Sequence, residues 1–396
     1  MLQTLVFYGS LVWHDSGWSI LTILNRHKRS KNTADDEKDI STLPPDVQAE
    51  IFRAEQSKDQ LKTLHLEKEF GHDRVVDDVT FGVDGSEVLA LLGPNGAGKT
   101  TTLSMIRGDL HPSSPRSDVL ICNTSALHNR LATRQMLGVC PQFNTMDYMT
   151  VTEHLSFYAR VRGVPDVSSN VLKVIDAVGL SSYRHRMAGK LSGGNQRKLS
   201  LATSIIGNPA VLLLDEPSTG MDAVAMRVMW KAIRAIAAGR AIVLTTHSME
   251  EASALSSRTA ILDRRLLALQ GTRELVTKYS QGLLHVHVVL ESGANASAGE
   301  MQTVRKWITT RFPGAEADDE SGSGRRGQLR FRIPPQAFEG YGTPHAELSG
   351  SGGSRMVRLI DMLEGSKREI GISSYSVSHA TLEDVFLDIV SRNREW

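Results

Sequence analysis

Two patterns of apolar residues alternate along the middle of the chain, one typical of buried strands and one typical of helices. Three short runs are continuously apolar, as is typical of strands buried on both faces of a sheet: Val88–Leu92, Val211–Leu214 and Ala241–Thr245. Strands of this kind alternate with stretches of helical spacing from about Leu61 to Lys278. The pattern therefore predicts an α/β domain with a largely parallel sheet.

A second pattern begins after residue 280 and predicts a small α+β sandwich. Its elements are a strand, a helix, a strand, a helix and a strand, at about 284–290, 301–312, 329–333, 356–363 and 370–377. The Gly/Ser-rich stretches Ser321–Gly327 and Ser349–Ser354 are expected to be mobile loops. His285 and His287 share one strand face. Since no further ligands stand nearby, solvent-facing imidazoles are favoured over a metal site.

The beginning of the chain permits two interpretations. Leu2–Leu24 is mostly apolar but is broken by His14, Asp15 and Gly17, and a basic cluster follows it at Arg26–Lys31. A signal peptide has the opposite order. The segment is either the exit of a membrane span or an amphipathic surface helix.

A polar linker over 30–60 follows this segment. Within it, Asp46 is expected to cap a short helix from Val47 to about Glu55.

Composition narrows the function classes. The formal net charge of +1 gives no reason to expect a nucleic-acid partner. With 40% hydrophobic and 22% charged residues, the chain can bury a substantial core. Cys122 and Cys140 cannot form a disulfide framework, which indicates a reducing compartment and two small core thiols.

A glycine-rich loop predicts the first functional site. The stretch from residue 93 to residue 100 fits G-x-x-x-x-G-K-[ST], lies between a predicted strand and a predicted helix, and suits backbone wrapping of phosphates. Lys99 would reach the β- and γ-phosphates of ATP, and the Thr100 hydroxyl would bind Mg²⁺. The predicted nucleotide-binding residues here are Gly93, Pro94, Asn95, Gly96, Ala97, Gly98, Lys99, Thr100 and Thr101.

An apolar strand that ends in two carboxylates predicts the second site. Asp215 and Glu216 follow Val211–Leu214, and unpaired charges at the edge of a core are costly. A magnesium ion would account for them. Asp215 would hold the metal through water, and Glu216 would act as general base towards the attacking water.

A third motif, Leu191–Asn195, precedes a predicted helix over Gln196–Ile206. Ser192, Gly193 and Gly194 offer donors for an anion at a helix N-terminus, although a plain N-cap followed by a turn has the same pattern. What distinguishes the two is the order: P-loop, this motif, then the acidic strand. In that order the chain resembles the ABC ATPases.

The resemblance implies further roles. In that family two ATPase domains meet head to tail, and the segment at Ser192 of one contacts the γ-phosphate held by the other. Gln142 resembles the glutamine that touches Mg²⁺, and Ser218–Asp222 resembles the loop that pairs across the dimer. His247 resembles the histidine at the γ-phosphate, and Phe70 resembles the aromatic residue that stacks on adenine.

Local strings also resemble the A-type subfamily of eukaryotic transporters, whose members mostly move lipids. They include Leu191–Ser200, Pro217–Asp222, Thr246–Ala252 and the tail from Tyr375 to Phe386. There are departures at Pro115–Ser117, where the usual Ser-Gly turn is altered, and at Ala223, where proline is usual. Neither removes a catalytic group. A second LSG string, Leu348–Gly353, has no acidic strand after it and is interpreted as a loop.

The prediction is therefore an α/β P-loop NTPase fold with a helical subdomain, plus a small C-terminal α+β regulatory domain of ferredoxin-like type. Its segments are 1–29 (apolar, membrane-proximal), 30–60 (linker), 61–280 (nucleotide-binding domain) and 281–396 (regulatory domain). The expected function is ATP hydrolysis with Mg²⁺ on the cytosolic face of a membrane, coupled to transport, with lipid as the expected substrate class. The expected partners are a second ATPase domain and transmembrane domains.

Three alternatives remain open from sequence. They are a soluble ABC ATPase acting on ribosomes or DNA, the ATPase subunit of a two-gene exporter, and a regulatory remnant without catalysis. The near-neutral charge and the apolar start disfavour the first. If Leu2–Leu24 is the remainder of a membrane segment, it favours a fused transporter over the second. Retention of Lys99, Asp215, Glu216 and His247 disfavours the third.

Overall fold

The structure is a computed structural model and describes residues 43–142, 148–280, 282–317, 327–338 and 351–394. The apolar segment 1–29 and the predicted loop at 321–326 lie outside these ranges. No helix within them is long and apolar enough to cross a membrane.

Fourteen strands are assigned within the described ranges. In chain order they are β1 (Leu61–Phe70), β2 (Asp73–Val83), β3 (Val88–Leu92), β4 (Asp118–Ile121), β5 (Thr124–Ser125), β6 (Leu137–Cys140), β7 (Val211–Asp215), β8 (Ala241–Thr245), β9 (Arg258–Asp263), β10 (Arg265–Gly271), β11 (Leu284–Leu290), β12 (Glu316–Ala317), β13 (Gln328–Ile333) and β14 (Ile372–His379).

Twelve α-helices are assigned in the same ranges. They are α1 (Pro45–Gln56), α2 (Lys99–Ile106), α3 (Arg130–Met136), α4 (Val151–Val161), α5 (Val167–Ala177), α6 (Gly193–Ile205), α7 (Ala223–Ile236), α8 (Met249–Leu255), α9 (Thr272–Ser280), α10 (Ala298–Arg311), α11 (Ser351–Ser366) and α12 (Leu382–Arg394).

The central sheet has the strand order β10-β9-β3-β8-β7-β6. Its pairs are parallel from β9 to β6, and only the edge hairpin β9–β10 is antiparallel. β3 and β8 are buried along their whole length, which confirms the strands predicted from their continuous apolar runs. A second, antiparallel sheet of order β2-β1-β4-β5 packs beside it. Helices α4 and α5, which lie between β6 and α6 along the chain, pack against each other as a helical pair.

The C-terminal elements form a third sheet of order β12-β13-β11-β14, which is entirely antiparallel. With α10 after β11 and α11 before β14, this is the strand order of a β-α-β-β-α-β ferredoxin-like unit. The short strand β12 has no periodicity to reveal it and was not predicted. The loop predicted at Ser349–Ser354 is wrong from Ser351 onwards, because α11 begins there.

The last helix, α12, packs on the central domain rather than on the third sheet alone. Its apolar face joins one buried cluster with residues of β3, β9, β10, α8 and α9; the helix contributes Leu382, Val385, Ile389 and Val390. This helix was not predicted from sequence. The predicted burial of both thiols is confirmed for Cys140 but wrong for Cys122, which follows β4 in an exposed turn.

Helix α1 is fixed to the central domain by buried carboxylates. The prediction that Asp46 caps this helix is wrong: Pro44 occupies the N-cap position, and the buried Asp46 side chain accepts a hydrogen bond from Leu269 N at 3.1 Å. Lys278 Nζ lies 3.2 Å from the other Asp46 oxygen. The first turn of α1 is therefore bound to β10 and α9.

One turn later, Glu50 continues this attachment. Its carboxylate accepts from Gly82 N at 3.0 Å and from the guanidinium groups of Arg53 and Arg258. Because the Glu50 side chain is only 3% exposed, its charge depends on these partners rather than on water.

Replacing Glu50 by alanine should lower the free energy of unfolding by about 3 kcal/mol, because the buried Gly82 amide loses its acceptor and the guanidinium groups of Arg53 and Arg258 each lose one of theirs. Urea denaturation followed by circular dichroism measures the loss. Gln56→Ala, at an exposed position of the same helix, is the control and should change stability by less than about 0.5 kcal/mol. Equal stability of the two variants would show that α1 is not anchored through Glu50.

Candidate active site

The predicted site residues converge because the inner strands of the central sheet are parallel. The carboxyl ends of parallel strands lie at one edge of a sheet, and ligands bind at that edge. The P-loop follows β3, Asp215 ends β7 and is followed directly by Glu216, His247 comes two residues after β8, and Gln142 comes two residues after β6. Four neighbouring strands thus deliver these side chains to one place.

The P-loop has a backbone that requires glycine at position 98. Gly98 has a φ of +91°, and a Cβ placed on it would lie 2.6 Å from the carbonyl oxygen of Val75 in β2. An L-residue is strained at this φ, and the contact leaves no room for one. The loop is therefore held against β2 immediately before α2 begins at Lys99.

The Lys99 side chain folds back over the P-loop. Its side chain is buried, and Nζ donates to the carbonyl oxygens of Gly93 at 2.7 Å and Pro94 at 2.9 Å. Burial lowers the pKa of Lys99, while the charges of Glu216 and Asp215 oppose this shift. The ammonium group thus lies in the electrostatic field of the acidic strand end.

Glu216 is the centre of the cluster. Its carboxylate lies 2.6 Å from His247 Nε2 and accepts hydrogen bonds from Gln142 Nε2 at 3.0 Å and Thr219 Oγ1 at 3.2 Å. The residue is 9% exposed and has a φ of +48°, which is rare for a residue with a long side chain. Three side chains and a strained backbone therefore fix one carboxylate at the strand edge.

Strand β8 supports both acidic residues through Thr245. Thr245 Oγ1 donates to Asp215 Oδ1 at 2.6 Å, and the backbone amide of Glu216 donates to the Thr245 carbonyl oxygen at 3.0 Å. Asp215 is thereby oriented from the neighbouring strand. Thr245 was predicted only as a strand residue, because an apolar run ending in threonine gives no sign of this role.

Arg197 is the residue whose importance sequence reasoning missed. Its guanidinium is buried and donates to five backbone carbonyl oxygens, those of Pro141, Gln142, Asp215, Glu216 and Pro217. The Nη2 distances are 2.6 Å to Asp215 O and 2.7 Å to Glu216 O. The sequence signal that could have revealed this role is an arginine within α6, because an arginine that is buried in a helix needs hydrogen-bond acceptors.

Several predicted residues lie apart from this cluster. Among the described residues, no hydrogen bond joins Ser192, Gly193 or Gly194 to the P-loop, and Ser192 stands exposed at the N-cap of α6. Asp222 caps α7 by accepting from Val224 N and Ala225 N, at 3.0 Å and 2.9 Å.

Three more predicted residues are at least partly exposed to solvent. Phe70 ends β1 and is 52% exposed, with Lys68 Nζ 5.3 Å from its ring centroid. On α2, Thr100 is exposed and Thr101 is half-buried.

Comparison with known proteins places this geometry in a family. The family model described as "ABC transporter" matches residues 76–219. Among curated proteins, ATP-binding cassette sub-family A member 7 of Mus musculus is 37% identical over 318 residues, which are 79% of this chain and 13% of that protein. The Homo sapiens protein named retinal-specific phospholipid-transporting ATPase ABCA4 is 36% identical over 327 residues, 81% of this chain and 13% of that protein.

A third relative extends the match. The Homo sapiens protein named glucosylceramide transporter ABCA12 is 33% identical over 364 residues, 89% of this chain and 13% of that protein. The chain thus spans about one eighth of the length of these relatives.

Two solved structures share the fold. One is titled as the ATP-binding subunit of an ABC transporter; it has a TM-score of 0.51 and 24% identity, and the match covers 56% of this chain and 93% of that chain. The other is cbiO1 from Clostridium perfringens, with a TM-score of 0.52, 20% identity, and coverage of 65% and 97%. The family match over residues 76–219 and the relatives at 33–37% identity show that the chain contains an ABC transporter ATP-binding domain.

Proposed function

We propose that the edge of the central sheet binds ATP with Mg²⁺, hydrolyses it, and drives the transport of a lipid across a membrane. The observation that carries the catalytic part is the Glu216 carboxylate, held by Gln142, Thr219 and His247 within the field of Lys99. A carboxylate fixed beside a phosphate-binding loop is the arrangement that activates water for phosphoryl transfer.

The residues present fit a magnesium ion. Mg²⁺ prefers oxygen ligands and keeps several waters, and the candidate donors are the Thr100 hydroxyl, the Gln142 amide oxygen and the Asp215 carboxylate. Thr245 donates to only one Asp215 oxygen. When bound, the ion would neutralise charge on the β- and γ-phosphates.

Each side chain has a separate task in the proposed reaction. Lys99 exchanges its two carbonyl acceptors for phosphate oxygens, and backbone amides of the P-loop donate to the same group. Glu216 accepts a proton from the water whose oxygen attacks the γ-phosphorus, while ADP departs on the opposite side. The His247 imidazole, 2.6 Å from Glu216, orients that carboxylate and faces the γ-phosphate.

The site is completed by a second ATPase domain. Ser192, Gly193 and Gly194 lie at the start of α6 and have no hydrogen bond to their own P-loop within the described ranges. We place them on the γ-phosphate of a partner domain, together with the partner-facing loop Ser218–Asp222. The adenine stacks on Phe70, which is 52% exposed.

We also propose an organisation for the whole chain. We divide the chain into the linker 30–60, the nucleotide-binding domain 61–280 and the regulatory domain 281–396, with 1–29 next to the membrane. Because curated relatives are named as phospholipid or glucosylceramide transporters, lipid is the proposed cargo. The ATPase domain then lies on the cytosolic face, attached to transmembrane domains.

Gly98→Ala should weaken ATP binding at least tenfold, because the added Cβ clashes with Val75 O and the P-loop must move. Equilibrium binding of a fluorescent ATP analogue measures the effect. The matched control is Gly163→Ala, at a φ of +68° with no atom within 4 Å of the new Cβ. It carries a similar backbone strain of about 1 kcal/mol but should keep ATP affinity. Equal affinities in the two variants would contradict the assignment of the phosphate cradle.

Glu216→Gln should keep ATP affinity and lower turnover by roughly 10²–10⁴-fold, because the amide preserves shape but cannot accept the proton. Phosphate release under saturating ATP measures turnover. Glu250→Gln, an exposed carboxylate three residues beyond His247, is the control and should hydrolyse ATP normally. If Glu216→Gln retained the normal rate, the general base would be a different group.

Mixing two inactive variants tests the shared site. Lys99→Ala loses the P-loop function but keeps Ser192, and Ser192→Arg blocks that position but keeps the P-loop. Each should be nearly inactive alone, whereas the mixture should recover activity from heterodimers with one intact site. Activity independent of protein concentration in a demonstrated monomer would overturn the shared-site mechanism.

A further inference from the structure

The open face of the third sheet carries an ordered set of polar side chains. Apolar residues of β11 and β13 face the core with Val304 and Ile308 of α10, so the alternate residues face away from that helix. In register across β13, β11 and β14 they form two rows. The first row is Arg330, His287 and Ser376, and the second row is Arg332, His285 and Ser378.

The two rows line one cavity of about 280 Å³. Directly opposite residues on neighbouring strands have Cβ atoms about 5 Å apart, and successive rows are about 7 Å apart. Two guanidinium and two imidazole groups therefore line one space that is large enough to hold a phosphate group. Both histidines are half-buried, so the predicted solvent-facing placement is only partly correct.

The second row is neutralised by the chain itself. Arg332 lies 3.5 Å from the Glu316 carboxylate, and His285 Nδ1 lies 3.6 Å from Asp384. Asp384 is also held by the capping group of α12, because it accepts from Thr381 N and Thr381 Oγ1, both at 2.7 Å.

The first row has no such partners. Within the described ranges, neither Arg330 nor His287 has a carboxylate in an ion pair. His287 Nε2 is shielded from solvent and has no hydrogen-bond partner there, and the same holds for Nε of the neighbouring Arg332. Buried nitrogen atoms without partners cost free energy and call for an explanation.

We propose that the first row, Arg330–His287–Ser376, binds a phosphomonoester group on the open face of the third sheet. A guanidinium matches phosphate in bidentate geometry, the imidazole supplies a further N–H donor, and the serine hydroxyl supplies an O–H donor. The neighbouring Arg332, whose Nε has no hydrogen-bond partner within the described ranges, adds one more N–H donor.

Other ligand classes fit this face less well. Two guanidinium groups repel a cation, and no group of three or more His, Cys, Asp or Glu side chains among the described residues could hold a metal ion. An apolar ligand would leave the arginines and serines desolvated without acceptors. A phosphomonoester satisfies them and carries more charge than a carboxylate. The source is either a soluble phosphate or a lipid headgroup that ends in one.

The test uses inorganic phosphate as the probe. The full chain carrying Glu216→Gln is saturated with ATP and Mg²⁺, so that the P-loop is occupied, and phosphate is titrated while histidine side-chain resonances are followed. The His287 resonance is assigned by its loss in His287→Gln. It should shift in a saturable manner, and this local readout reports on the third sheet whether or not the catalytic proposal is correct.

Arg330→Gln should lower the phosphate affinity roughly tenfold or more, and Ser376→Ala should lower it less, since a charged donor contributes more than a hydroxyl. The matched control is Lys306→Gln, which removes one exposed charge from α10 on the opposite face of the sheet and should leave the affinity unchanged. A shift that does not saturate, or equal affinities of Arg330→Gln and Lys306→Gln, would overturn the proposal.

Vesicles distinguish the two sources. Vesicles of phosphatidylcholine with phosphatidic acid present a phosphomonoester headgroup, and pure phosphatidylcholine vesicles do not. If the lipid is the source, the chain should bind the first vesicles more strongly than the second, and Arg330→Gln should abolish the difference. Saturable binding of inorganic phosphate without this difference assigns the site to a soluble phosphate. Loss of the vesicle difference in Lys306→Gln but not in Arg330→Gln would contradict the assigned row.

Discussion

The guanidinium group of Arg197 holds together the loops from which the active site is built. These loops leave the central sheet after β6 and β7, so their carbonyl groups no longer have partners in the sheet. Arg197 supplies donors to five of them at once and is itself satisfied by them. Because the same residue lies in α6, the helix that begins beside Ser192 is tied to the backbone that positions Gln142 and Glu216.

The strained backbone at Glu216 makes sense in this setting. A φ of +48° costs free energy, and it persists only where the surroundings over-determine the conformation. Here Arg197 holds the Glu216 carbonyl oxygen, Thr245 holds the amide, and three side chains hold the carboxylate. The strain turns the side chain of the residue after a buried strand back towards the P-loop instead of into solvent.

Sequence patterns predicted the parts whose physics is local. Continuous apolar runs located β3, β7 and β8, and the glycine spacing located the P-loop, because burial and φ restrict the residues allowed there. The small α+β unit after residue 280 followed from alternation in β11 and β13 together with the helical spacing between the strands. The contacts of Asp46 could not be predicted, because Leu269 lies 223 positions away along the chain. For the same reason the five carbonyl partners of Arg197 and the docking of α12 required the folded structure.

The attachment of both ends of the described chain to one edge of the sheet has a mechanical consequence. Asp46 of α1 binds β10 and α9, and α12 packs on the same two elements. This edge hairpin adjoins β3, which leads into the P-loop, while Gln142 lies beyond β6 at the opposite edge. The strands that carry Lys99, Asp215 and Glu216 lie between the two edges. A displacement of α1 or α12 can reach the P-loop through β9 and β3, and α12 also packs on α8, the helix that directly follows His247 of the Glu216 cluster.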